Sequence, residues 1–174
     1  MRVFSLQRQS GSTLIEVMVS IVVMAIGLLG LAGLQVSALK FEKSSSQRSE
    51  ASLAAYDISE RIRANYPGIA AYVFTDDYAT SHAAVHTPPH NCSVAPCLIA
   101  SDVAQNDIQD WLRNIQTRLV GGSGYVVQVA GATMNTFDVT IMWSEQGLTI
   151  ADASCPAAVA APVGVRCFNY RTTP

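Results

Sequence analysis

The chain has 174 residues, of which 49% are hydrophobic and only 14% charged, and its formal net charge is −2. That size suits one modest domain plus an extra segment. With thirteen acidic residues against eleven basic ones, a surface that neutralises many phosphates is excluded, so no nucleic-acid partner is expected. Loss of Arg2 and Arg8 with a leader would make the balance more acidic still. The hydrophobic fraction is concentrated near the start, where residues 13–34 form an apolar run. About 20 such residues, rising 1.5 Å each, cross a bilayer as a helix.

One acidic residue, Glu16, lies close to the beginning of that run. A carboxylate at mid-bilayer costs roughly 2.5–3.5 kcal/mol, and less toward the end of a span, so its presence asks for a function. Arg2 and Arg8 precede the run with no acid among the first ten residues, and such basic residues keep their end cytoplasmic. The segment from Lys40 onward then lies outside the cytoplasm. A cleaved secretory signal ending at Val36-Ser37-Ala38 is one reading, but the Val17–Leu34 core spans 18 residues, against about 7–15 for signal peptides. An uncut signal anchor is a second reading. Neither accounts for Glu16.

The segment Gly11-Ser12-Thr13-Leu14-Ile15-Glu16-Val17 resembles the Gly-Phe-Thr-Leu-Ile-Glu-Val signature of type IV pilins and related pseudopilins. The family usually has phenylalanine where this chain has Ser12. The resemblance implies that a prepilin peptidase cuts between Gly11 and Ser12 and methylates Ser12. Residues 1–11 are then a leader, 12–39 a transmembrane and assembly helix, and 40–174 an extracytoplasmic head. Glu16, the fifth residue after the cut, would attract the charged amine of a neighbouring subunit during docking. Opposite charges attract strongly in low dielectric, and an unpaired carboxylate there is disfavoured.

Gly27, Gly30 and Gly33 follow within the run. Small residues let helices approach closely, although each glycine weakens a helix by about 0.5–1 kcal/mol relative to alanine. They are read equally as ordinary membrane-helix glycines and as a segment able to bend on packing. Lys40-Phe41-Glu42-Lys43 marks the exit from the apolar phase, and Ser44-Ser45-Ser46 is a soft spot of three weak helix formers. Beyond it, Ala51, Ala55, Ile58 and Ile62 recur on one face, as an amphipathic helix requires. Arg61-Ile62-Arg63 is assigned to the helix surface. Asn65-Tyr66-Pro67-Gly68 stops the helix, so residues 12 to about 65 read as one long helix.

Residues 66–100 hold four prolines and no lasting period. They read as a long loop with a short strand piece at Ala71-Tyr72-Val73-Phe74. Ser101-Asp102 is expected to cap a second helix, with Ile108, Leu112, Ile115 and Leu119 as its apolar stripe, Trp111 alongside, and Gly121-Gly122 as its end. Strands are expected at 125–130, 136–143 and 164–171, with a turn at 131–135 and a loop rich in Ala and Pro at 151–162. In the middle strand, Phe137, Val139, Ile141 and Trp143 share one face. The expected fold class is α+β: a long N-terminal helix, membrane-spanning in its first half, packed on a small antiparallel sheet.

The four cysteines are Cys92, Cys97, Cys155 and Cys167. In an oxidising compartment they form two disulfides, with three pairings open. Cys92–Cys97 and Cys155–Cys167 are favoured, because each closes a short loop containing Pro or Gly. His82, His86 and His90, spaced by four and followed by Cys92 and Cys97, are residue types that ligate zinc. Pro88-Pro89 breaks the helix that would align them, and oxidised cysteines do not ligate, so neither metal nor cofactor is expected. Asp76-Asp77 is read as a solvated loop pair without calcium-ligand spacing. Gly121-Gly122-Ser123-Gly124 follows a helix instead of opening one, and therefore reads as a turn. No Gly-x-Ser-x-Gly elbow is present, and no catalytic residue is assigned.

Glu60-Arg61-Ile62-Arg63-Ala64-Asn65, the Asp110-Trp111 helix and Val139-Thr140-Ile141-Met142-Trp143 resemble the PilV type of minor pilin. That resemblance implies a non-enzymatic subunit that helps initiate or cap a filament and serves motility or adhesion. Its partners would be other minor pilins, the major pilin, the prepilin peptidase, the inner-membrane assembly platform and a tip adhesin. It would sit in the inner membrane as a single pass with its C-terminal domain in the periplasm, and later in a cell-surface pilus. A type II secretion pseudopilin would share the N-terminal features. A membrane-anchored extracytoplasmic module binding a ligand through the 66–100 loop is the alternative of another class, and it predicts that Glu16→Ala leaves function intact.

Overall fold

The computed structural model describes residues 14–89, 92, 94, 96–132 and 135–174. Helix α1 runs Leu14–Ala64. The short helix α2 spans Tyr78–Ala83 and α3 spans Ala100–Arg118. Three strands complete the chain: β1 at Ser123–Gln128, β2 at Phe137–Ser144 and β3 at Val165–Thr172. They form one antiparallel sheet in the order β1-β2-β3. The chain divides into two units, Met1–Lys43 and Ser44–Pro174.

In the second unit the sheet carries a core on each face. On one face Phe137, Val139, Ile141 and Trp143 of β2 meet Ala51, Ala55, Ile58 and Ile62 of α1 and the stripe of α3. These are the periodic apolar positions of both helices, and fully burying an Ile, Leu or Phe side chain contributes about 1.5–3 kcal/mol. Met142 and Tyr125 point the other way and pack with Tyr78, Val159, Val165 and Cys167. Ser59 also lies on the buried stripe of α1, its hydroxyl sharing a 2.8 Å hydrogen bond with that of Thr172.

Cross-strand pairs fix the register. Asp138 lies opposite Arg171 and accepts two hydrogen bonds from it, at 2.6 and 2.7 Å. Thr140 lies opposite Asn169 and donates to it at 2.8 Å. Such side-chain pairs stabilise an antiparallel ladder. Phe74 exchanges two backbone hydrogen bonds with Val126, which protects part of the outer edge of β1.

Several local expectations are corrected. Ser101 and Asp102 do not precede α3 but lie in its first turn, after an N-cap at Ile99 that makes no side-chain hydrogen bond. Helix α1 continues unbroken through Ser44-Ser45-Ser46, where Ser44 Oγ donates to Glu145 Oε1 at 2.9 Å; a tertiary contact outweighs weak propensity. The segment 66–100 is not all loop. It holds a 3-10 helix at Tyr66–Ala71 and also α2, and only Phe74 of the expected strand piece pairs. Asp77 is the N-cap of α2, its carboxylate accepting from Thr80 N at 2.8 Å. Hydrogen bonds from the Thr80 side chain and from its backbone N–H hold the Asp77 carboxyl below the usual range.

Gly121, at φ 62°, allows the turn from α3 into β1. Gly124 is required for a different reason: a Cβ there would overlap the Trp111 ring. Both disulfides close short loops, Cys92 with Cys97 and Cys155 with Cys167, each with Cα atoms 5.1 Å apart.

Candidate functional site

From Leu14 to Phe41 the large apolar side chains of α1 are exposed, among them Ile15, Val22, Leu29 and Leu34. The helix is long and apolar enough to cross a membrane, and the window that qualifies is not buried within the chain. Chains do not leave so long an apolar surface in water; this one is built to be covered by lipid or by other helices. Glu16 sits in the first turn of α1, where a carboxylate complements the positive end of the helix dipole. One turn on, Ser20 Oγ donates to Glu16 O at 2.7 Å, so that hydroxyl is satisfied without water. A Cβ built at Gly27, Gly30 or Gly33 meets nothing within 4 Å; packing within the chain does not demand glycine there. Gly11 and Ser12 lie outside the described residues.

The far end of α1 is fastened to the head by polar groups that the sequence left unassigned. Arg61 bridges Asp57 and Asp107, each at 3.0 Å, instead of lying free on the helix surface. Tyr72 donates to the other oxygen of Asp107 at 2.5 Å. Burial, reinforced by that bond, pushes the Tyr72 hydroxyl well above its usual range. Burial works to lower Arg61, but its bonds to Asp57 and Asp107 outweigh this and raise it. Trp111 Nε1 donates to Ala54 O at 2.8 Å, and Asn65 Nδ2 donates to Ala100 O at 2.8 Å. Together these bonds join α1 to α3 around the apolar core. Sequence spacing could not reveal Asp107 as the shared partner of Arg61 and Tyr72, because these contacts span 46 and 35 positions of chain.

Nearer Ser44, Glu145 accepts from Arg166 Nε at 2.5 Å as well as from Ser44. Burial pushes its carboxyl up, yet the bonds from Arg166 and Ser44 prevail and hold it below its ordinary value.

The candidate metal residues are engaged elsewhere. His82 Nδ1 meets Tyr78 O at 2.7 Å and its ring stacks on Tyr78. The buried His86 contacts Gln109 Oε1 and Ser81 O through its two ring nitrogens. His90 lies outside the described residues. Among the described residues no group of three or more His, Cys, Asp or Glu side chains is placed to hold a metal ion.

Two family models match the chain, and they abut. The model of the prokaryotic N-terminal methylation motif covers residues 6–32, the segment that carries Gly11, Ser12 and Glu16. The model described as type IV pilin Tt1218 covers residues 33–109, from the last glycine of the apolar run into α3. No curated protein and no solved structure matches the chain.

Proposed function

Because the chain belongs to the type IV pilin family, we propose that it acts as a non-enzymatic minor pilin of the PilV type, one that helps initiate or cap a filament. As a pilin it is a membrane-anchored structural subunit that assembles with other pilins in a pilus. The observation that carries the reading is α1 itself: an exposed apolar helix with one carboxylate in its first turn, continuous with a stripe buried in a disulfide-bonded head. Such a helix is stable in lipid, and stable again when the lipid is exchanged for neighbouring helices.

In this account the prepilin peptidase cuts between Gly11 and Ser12 and methylates Ser12. The subunit waits in the inner membrane with its head in the periplasm, where the two disulfides persist. Glu16 draws in the amine of an adjacent subunit, since that pairing removes the penalty of two charges in a low-dielectric bundle. The partners are other minor pilins, the major pilin, the inner-membrane assembly platform and a tip adhesin, and the assembled pilus serves motility or adhesion.

The test replaces Glu16 by Gln, which keeps the shape and removes the charge. Tagged wild-type and variant subunits are followed into sheared surface pili by immunoblot, with membrane levels as the control. The expected result is normal membrane abundance and strongly reduced incorporation. Equal incorporation of Glu16→Gln would overturn the role given to the charge.

A further inference from the structure

An open bowl of about 380 Å³ lies on the head, lined by Arg48 of α1, Trp143 of β2, Arg166 and Phe168 of β3, and Asp152 and Ser154 of the preceding loop. Its acidic groups are already saturated. Asp152 Oδ1 accepts from the backbone and hydroxyl of Ser154, and Oδ2 accepts from Cys167 N and faces Arg166 at 3.7 Å. The nearby Glu145 is taken by Arg166 and Ser44. What remains unmet is a set of donors. Arg48 is exposed and feels Glu145 only at longer range. Trp143 is 1% exposed, and its indole N–H has no acceptor among the described residues. The second tryptophan, Trp111, has its N–H satisfied by Ala54 O. Buried indole N–H groups normally find a partner, and a guanidinium retains several donors after one ion pair.

We propose that this bowl is a carboxylate-binding site, in which Arg48 and the remaining N–H groups of Arg166 supply charge and the Trp143 indole supplies a directed hydrogen bond. Charge-assisted bonds from arginine to carboxylate are the strong members of their class. The carboxylate belongs either to a small free anion or to an acidic side chain of a neighbouring subunit. The second source rests on the pilin reading, and the chain's own excess of acidic residues makes such groups plentiful on a second copy.

The test uses the full chain, ¹⁵N-labelled and held in detergent. Its two indole resonances are assigned with Trp143→Phe. Sodium acetate is titrated against sodium chloride at matched ionic strength. The Trp143 resonance is expected to move saturably with acetate while that of Trp111 stays fixed as the fold control. Arg48→Ala should raise the half-saturating acetate concentration roughly tenfold or more, the effect of losing one charged hydrogen-bond partner. In the absence of acetate, a Trp143 shift that grows with protein concentration and is reversed by acetate assigns the carboxylate to a neighbouring copy. A response to acetate alone assigns it to a free anion. The acetate arm needs no assembly, so the site can stand even where the pilin reading fails. No saturable Trp143 shift, or an undiminished one in Arg48→Ala, overturns the proposal.

Discussion

One helix serves two environments, and a matched pair of isoleucine truncations separates them. Ile58 has 0% of its surface exposed, and Ile26, in the same helix, has 66% exposed. Ile58 packs in the cluster that contains Trp111, Ile141 and Trp143. Truncation to alanine there removes buried methyl groups and leaves a cavity, at a cost of about 2–5 kcal/mol. The head unit, Ser44–Pro174, lies between the domain sizes for which 1 kcal/mol shifts Tm by about 4–8 °C and by about 2–4 °C. Ile58→Ala should therefore lower Tm by roughly 6–20 °C. Ile26→Ala removes the same atoms from a largely exposed side chain outside the head unit and should leave the head transition unchanged. The assay is thermal unfolding of the full chain in detergent, followed by near-ultraviolet circular dichroism, which Trp111 and Trp143 dominate. Equal Tm changes for the two variants, or a loss below about 1 kcal/mol for Ile58→Ala, would refute the division of α1 into a lipid-facing and a core-facing half.

Other outcomes follow from single contacts. Gly124→Ala forces a methyl group into the Trp111 ring and should cost about 1–3 kcal/mol through overpacking, read as a lower urea midpoint at unchanged m value. The Cys155–Cys167 bridge spans 12 positions and Cys92–Cys97 spans 5. By chain entropy, serine replacement of the first pair should cost about 3 kcal/mol and of the second about 2 kcal/mol; a larger loss at Cys92–Cys97 would contradict this order. Burial raises the Glu145 carboxyl, but Arg166 and Ser44 hold it below its ordinary range. The stability it supplies is thus complete above that range and disappears as pH falls through the depressed folded value. Urea midpoints of wild type and Glu145→Gln, measured from pH 7 down to pH 3, should converge on acidification, and a constant gap would contradict the assignment.

The parts of the fold that rest on periodicity could be read from the residues. The stripe Ala51, Ala55, Ile58 and Ile62 and the alternation Phe137, Val139, Ile141 and Trp143 each report a regular element with one buried face, and these faces meet in one core. Capping and polar partnership were harder to read. Asp77 looked like half of a solvated pair, because a cap is defined by the helix that follows, and α2 has only six residues with no apolar repeat. Ser59 interrupts the apolar pattern, yet it is buried because Thr172, 113 positions away, offers a hydroxyl. Arg61 looked like surface, because its partner Asp107 comes from a different helix. For Ser59 and Arg61 the deciding neighbour is distant in sequence, which local patterns do not encode. At the N-terminus the physical signal lies in the sequence itself, as one carboxylate at the head of an apolar run, and the match to the methylation motif falls on the same segment.

The most direct measurement is mass spectrometry of the N-terminus of the protein recovered from the membranes and pili of its own cells. The account predicts a mature chain that begins at Ser12 and carries one added methyl group on its amine. A chain that begins at Leu39, or one that retains Met1, would contradict it.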